Sequence, residues 1–92
     1  MEFAGKVVVV TGAGRGIGAA LASAYAAEGA IVAAVDRDSS LVNETVSQIT
    51  AAGGQAASFT ADISRPEEIE AVFKAIDERF GGSIDVMITL WT

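Results

Sequence analysis

The chain has 92 residues, a formal net charge of −6, 51% hydrophobic residues, and neither cysteine nor histidine. That is one small domain with enough apolar residues for a packed core, and it excludes disulfide staples, thiolate or histidine metal sites, and any Cys- or His-based catalysis. The six Lys and Arg are scattered, so nucleic acid is not expected as a partner, because phosphate neutralisation needs clustered basic residues.

The start of the chain, Met1 to Lys6, carries Glu2 and lacks the basic start and apolar core of a signal peptide. No apolar run approaches the roughly 18 residues needed to cross a bilayer. A cytoplasmic protein with no membrane partner is the expectation. No repeat, low-complexity tract or Pro/Ser linker divides the sequence, so residues 1–92 read as a single folding unit.

Val7–Val10 is an apolar run of β-branched residues, too short for a helix. It reads as a strand buried on both faces, as at the centre of a parallel sheet. Gly12, Gly14, Gly16 and Gly18 follow at once, and Ala19 to Glu28 offers a run of good helix formers. Strand, glycine turn and helix in this order make a phosphate site. Gly12 lets the chain turn sharply, and the missing Cβ at Gly16 and Gly18 lets a diphosphate approach the backbone and the helix pack close to the sheet. The first helical turn then presents N–H groups and the positive end of the dipole to an anion. Ile17, Leu21, Ala24 and Tyr25 fall at helical spacing and predict the sheet-facing side, and Gly29 ends the helix.

Ala30–Val35 is a second buried strand, and Asp36 stands where it reaches its carboxyl end, 18 positions after Gly18. This is close to the separation of about 20 found in dinucleotide sites. A carboxylate there can accept from both hydroxyls of an adenosine ribose and would repel a 2′-phosphate, which favours NAD over NADP. The plainer alternative is that Asp36 starts a turn and Arg37 is solvated.

Ser39 or Ser40 is positioned to cap a second helix with Leu41, Val42, Thr45, Val46 and Ile49 on one face, stopped by Gly53 and Gly54. Ala56–Ala61 reads as a third strand with Phe59 as its main core residue. Ser64, Arg65, Pro66 and Glu67 then form a capping box. They open a third helix whose stripe, Ile69, Val72, Phe73, Ile76 and Phe80, belongs to the core. Its acids Glu67, Glu68, Glu70, Asp77 and Glu78 read as a solvated face, and Gly81 with Gly82 ends it. A fourth apolar strand begins at Ile84 and runs toward Thr92.

The string Thr11-Gly12-Ala13-Gly14-Arg15-Gly16-Ile17-Gly18 resembles the TGxxxGxG cofactor motif of the short-chain dehydrogenase/reductase family, and the similarity continues through Asp36, Asp62-Ile63 and Ile84-Asp85-Val86. It covers nearly the whole chain. The resemblance implies a truncated dinucleotide-binding domain, the N-terminal half of a Rossmann fold. Its fold class is α/β, a doubly wound parallel four-stranded sheet of order 3-2-1-4. A flavodoxin-like order, 2-1-3-4, is the alternative open to a halved fold.

The resemblance also implies that Asp62 lies toward the adenine amino group and Ile63 against its face. The alternative is a loop aspartate beside a core isoleucine. NADP users of the family often hold the phosphate with a basic residue in the glycine loop or just after the second strand, and Arg15 and Arg37 stand at those places. The expected cofactor-binding set is therefore Gly12, Gly14, Arg15, Gly16, Ile17, Gly18, Asp36, Arg37, Asp62 and Ile63, for NAD, with NADP as the alternative and no bound cofactor also open.

After Val86 the resemblance breaks. The family continues this strand as Asn-Asn-Ala-Gly, where this sequence has Thr89, Leu90, Trp91 and Thr92. The family's catalytic serine and Tyr-x-x-x-Lys pair have no counterparts here, since the one tyrosine, Tyr25, is followed four positions on by Gly29. No catalytic residue and no substrate pocket are expected in this chain. A natural or engineered truncation is expected, and the tail TLWT is what an altered reading frame near a junction would produce.

An apolar fourth strand left at a sheet edge, with Val86, Met87, Ile88 and Leu90 on its flanks, invites pairing with a second copy. The expected partner is thus a homodimer in which fourth strands meet antiparallel in a continuous eight-stranded sheet. Three functions remain open: a nucleotide-binding module without turnover, a structural remnant that folds and dimerises without ligand, and a fragment of a full NAD(P)-dependent oxidoreductase.

Overall fold

Strand and helix alternate along the chain as apolar β-branched runs give way to stretches of helix formers. A computed structural model describes residues 2–81 and 84–89, and in it the elements are β1 (Val7–Thr11), α1 (Gly16–Ala27), β2 (Ile31–Asp36), α2 (Ser39–Ala51), β3 (Gln55–Thr60), α3 (Pro66–Phe80) and β4 (Val86–Ile88). The sheet is parallel, in the order β3-β2-β1-β4. Val9 lies beside Ala33 on one side and Met87 on the other, and Ala33 beside Ala57.

This is the half-Rossmann order and not the flavodoxin-like one. Burial explains the choice: every residue of β1 is buried, whereas Gln55 and Thr60 at the ends of β3 are exposed and Ala57 is its one buried residue. A strand so poor in large apolar residues suits an edge.

Both faces of the sheet are covered. Val8, Val10, Val32 and Ala34 pack with Ala22 and Ala26 of α1 and Val42 and Ile49 of α2. On the other face Val9, Ala33 and Val35 pack with Ala61 and with Val72 and Ile76 of α3, joined by half-buried Phe59 and Phe80, whose rings meet edge-on at 6.4 Å. Alternate valines of one strand thus serve opposite cores, which is why the run is continuously apolar. Among the described residues no helix is long and apolar enough to cross a membrane.

Several local expectations are corrected. The first helix begins at Gly16, not Ala19, and its buried side is Gly18, Ala22 and Ala26, while Ile17 is 73% exposed, Ala24 is exposed and Leu21 is half-buried. Close approach sets this phase: a Cβ on Gly18 would lie 1.9 Å from the Gly12 carbonyl oxygen. A helix so near a strand can turn only its smallest residues inward. Tyr25 is half-buried and packs edge-on against Phe3, with ring centroids 5.0 Å apart.

Asp38, not Ser39 or Ser40, caps α2, its Oδ1 accepting from the Leu41 N–H at 3.1 Å. Nor does Ser64 cap α3. Its hydroxyl and its N–H both donate to Asp62 Oδ1, at 2.6 and 2.9 Å, and the Asp62 N–H in turn donates to Glu68 Oε1 at 2.8 Å. The N-cap position of α3 is Arg65, so Ser64 stands one residue outside it, and its hydroxyl proton goes to the charged acceptor two residues back. Gly81, at φ +77°, closes α3.

β4 is shorter than the sequence suggested, since Ile84 and Asp85 precede it. The expected continuation through Leu90, Trp91 and Thr92, and the stop at Gly82, lie outside the described residues. Asp85 ties this end of the sheet together: its Oδ2 accepts from the Val7 N–H at 2.8 Å, and its own N–H donates to the Val7 carbonyl at 2.9 Å.

Candidate functional site

The site forms where β1 and β2 end side by side. Leaving β1, the chain turns at Gly12 (φ +65°) and again at Gly16 (φ +59°), backbone angles that side chains other than glycine rarely adopt. Between them the loop is fastened to its neighbours. The Ala13 N–H donates to the Val35 carbonyl at 3.0 Å, and the Gly14 N–H donates to Asp36 Oδ2 at 2.8 Å. From α2, Thr45 Oγ1 donates to the Ala13 carbonyl at 2.8 Å. The other oxygen of Asp36 accepts from the Asp38 N–H at 3.1 Å. The half-buried carboxylate at the carboxyl end of β2 is therefore held against the glycine loop.

Gly12, Arg15, Asp36, Arg37, Asp38 and Ser39 line an open cleft of about 480 Å³ at this edge. Arg15 is the N-cap of α1 and makes no side-chain capping bond, and the first turn of α1 carries no acidic residue. No side chain of α1's own first turn offsets the positive end of the helix dipole. At Gly16 an added Cβ would meet nothing within 4 Å, so the loop is open on that side.

Open backbone, the positive end of the α1 dipole and two guanidinium groups can receive a diphosphate, and a fixed carboxylate can accept from a vicinal diol. These residues fit the adenosine diphosphate portion of a dinucleotide. They do not by themselves choose between NAD and NADP, because Asp36 shares the cleft with Arg15 and Arg37.

Of the residues singled out from sequence, the cleft brings together Gly12, Arg15, Asp36 and Arg37, with Gly14 bonded to Asp36. Gly18 works on the inner side of the loop, as the point where α1 touches β1's exit. Ile17 is exposed on the first turn of α1. Ile63 lines a different space, an apolar cavity of about 80 Å³ between the sheet and α3 that also involves Val9, Ile69, Phe73 and Met87.

The Asp62 carboxyl is held below its ordinary value, chiefly by the Ser64 hydroxyl and then by the Ser64 N–H, with the positive charges of Arg37 and Arg65 adding to the effect. Sequence reasoning missed Asp38 as a lining and capping residue and Thr45 as a loop contact. The signal for Thr45 was present, since a hydroxyl on the apolar face of a helix needs an acceptor.

A family model described as short chain dehydrogenase matches residues 6–89. The chain is 43% identical over 88 residues to 3beta-hydroxysteroid dehydrogenase 1 of Eggerthella lenta, a match covering 95% of this chain and 33% of that protein. It is 38% identical over 89 residues to the short-chain dehydrogenase/reductase homolog YusS of Bacillus subtilis, covering 96% of this chain and 81% of that protein.

The crystal structure of a hydroxysteroid dehydrogenase from Escherichia coli superposes with a TM-score of 0.93 at 32% identity, over 96% of this chain and 37% of that one. A metagenomic short-chain oxidoreductase crystallised with NADP superposes with a TM-score of 0.89 at 38% identity, over 95% and 39%. The chain thus spans about a third of most of these relatives and four-fifths of YusS.

Proposed function

The chain belongs to the short chain dehydrogenase family, and on that footing we propose that it is the cofactor-binding part of an oxidoreductase, holding the adenosine diphosphate half of NAD. The observation that carries this is the Asp36 carboxylate, fixed by the Gly14 and Asp38 N–H groups and lining the same cleft as the glycine loop. A nicotinamide cofactor, when bound, would supply the hydride acceptor or donor. The chain's own residues bind and orient it. The loop from Gly12 to Gly18 and the dipole of α1 receive the diphosphate, Asp36 accepts from the ribose hydroxyls, and its charge disfavours a 2′-phosphate. Asp62 and Ile63 belong to the same reading as the adenine-side residues.

A second reading takes NADP. It is favoured by Arg15 and Arg37 lining the cleft beside Asp36, where they could hold a 2′-phosphate.

Turnover by these 92 residues alone is not part of the proposal. Hydride transfer to a carbonyl needs an aligned proton donor, and the reverse oxidation of an alcohol an aligned acceptor, and Tyr25, the sole tyrosine, lies toward the far end of α1 from the glycine loop, against Phe3. Homodimerisation through β4 is proposed as well, supported by the place of β4 at the sheet edge and by Met87, 48% exposed. A cytoplasmic location is proposed on family membership alone.

Calorimetry with NAD, ADP-ribose and NADP tests the central claim. Heat with NAD and ADP-ribose and weaker binding of NADP is expected. No heat with any of them at millimolar concentration would leave a structural remnant, and NADP binding as tightly as NAD would refute the role given to Asp36.

A further inference from the structure

Thr45 lies midway along α2 on the face turned to the sheet and is 3% exposed. A valine would fill that apolar position equally well. Threonine inside a helix ordinarily returns its proton to the carbonyl four residues back, and Leu41 O is indeed 3.2 Å from Thr45 Oγ1. The Ala13 carbonyl is nearer, at 2.8 Å. One hydroxyl carries one proton, and the shorter contact takes it out of α2 and into the glycine loop.

The acceptor matters because of what shares its peptide unit. The carbonyl of Ala13 and the N–H of Gly14 belong to one planar group, so fixing one fixes the direction of the other. That N–H is the donor to Asp36 Oδ2 at 2.8 Å. The contact is close enough that a Cβ on Gly14 would lie 2.6 Å from Asp36 Oδ2 and 2.8 Å from Leu41 Cβ. Hydroxyl, peptide plane and carboxylate form a continuous chain from the interior of α2 to the cleft.

We infer that Thr45 is a positioning residue for the cofactor cleft: its hydroxyl sets the tilt of the Ala13–Gly14 peptide, which aims the Gly14 N–H at Asp36 and so orients the carboxylate toward an adenosine ribose. The inference rests on the proposed role of Asp36. Thr45 touches no ligand itself.

The test compares the wild type with Thr45→Val, which keeps the shape and removes the hydroxyl, and with Thr45→Ser, which keeps the hydroxyl. Amide exchange by NMR should show Gly14 exchanging about tenfold faster in the valine variant, as loss of one net hydrogen bond implies. Val9 and Val32 in the sheet should be unchanged, and the serine variant should behave as wild type. ADP-ribose should bind roughly five- to tenfold more weakly to Thr45→Val and normally to Thr45→Ser.

A folded valine variant with unchanged Gly14 exchange and unchanged affinity would overturn the inference, as would a serine variant that behaves like valine. If the valine variant does not fold, the wild type decides. A slowly exchanging Thr45 hydroxyl proton with a cross-peak to the Gly14 amide supports the inference, and a hydroxyl exchanging at the solvent rate overturns it. Should the wild type bind no ADP-ribose, the role of the cleft falls, while Gly14 exchange still reports whether Thr45 holds the loop.

Discussion

Replacing Gly18 by alanine tests the contact on which the site is built. In an open helix this change would stabilise by about 1 kcal/mol, because glycine is the poorer helix former. At this position the new Cβ would lie 1.9 Å from the Gly12 carbonyl oxygen, 2.6 Å from its carbon and 3.1 Å from Ala13 Cα. Real Cβ atoms essentially never come within 3.0 Å, so α1 and the loop must part by roughly 1.1 Å, the difference between 3.0 and 1.9.

The loop cannot easily give way, since the Val35 carbonyl, Thr45 and Asp36 hold it at Ala13 and Gly14. The helix must lift instead, which loosens Ala22 and Ala26 on the core. Overpacking costs about 1–3 kcal/mol, and contact with backbone belongs at or above the top of that range. After the helix-propensity gain, a net loss of about 2 kcal/mol is expected. With a urea dependence of about 1 kcal/mol per molar for a chain this small, the unfolding midpoint should fall by about 2 M without a change in slope. A midpoint equal to or above that of the wild type would refute the close approach of α1 to the β1 exit.

Other outcomes follow from the same geometry. Asp36→Asn should shift the ratio of NADP to NAD affinity toward NADP by roughly tenfold, as removal of a charge near a phosphate implies, and an unchanged ratio in calorimetry would count against the assignment of Asp36. Because the fold lowers the Asp62 carboxyl, its contribution to stability is present above about pH 4 and is lost as pH falls through the lowered value. Ser64→Ala should therefore raise the Asp62 titration midpoint, read by carboxyl-carbon NMR, and weaken this acid dependence. Light scattering at tens of micromolar should show a dimer that Met87→Lys dissociates, and a wild-type monomer would remove the β4 pairing.

The sheet was legible because its signals are composition-dominated. Val7–Val10 and Ile31–Val35 are apolar without alternation, as strands buried on both faces must be, and the small, polar character of Ala56–Ala61 placed that strand at the edge. The phase of α1 was not legible, because apolar periodicity ranks Ile17 and Leu21 as the inward residues, while the 1.9 Å constraint at Gly18 selects the smallest ones.

The caps were misassigned for a related reason. At α2 the charged Asp38 takes the Leu41 N–H ahead of Ser39 and Ser40, and at α3 Ser64 stands one residue before the N-cap, Arg65, with its hydroxyl donating to Asp62. The acidic residue of the cleft could be read from its spacing to the glycines, whereas the contact of Ile63 with the α3 cavity is set by tertiary packing. Thr45 was visible only as a polar interruption of an apolar face.

The link between Val7 and Asp85 also governs how the chain reaches its fold. β1 stands inside the sheet, and its two flanks are completed by segments at very different distances along the chain, Ile31–Asp36 and Val86–Ile88. One flank closes through the α1 crossover, which sets Val7 beside Ile31. The other must wait for a contact spanning 78 residues, whose closure entropy is met before any reward from pairing arrives. A valine-rich seam therefore stays open on one side of β1 until residues 86–88 arrive, and docking of β4 should be slower than the pairing of β1 with β2.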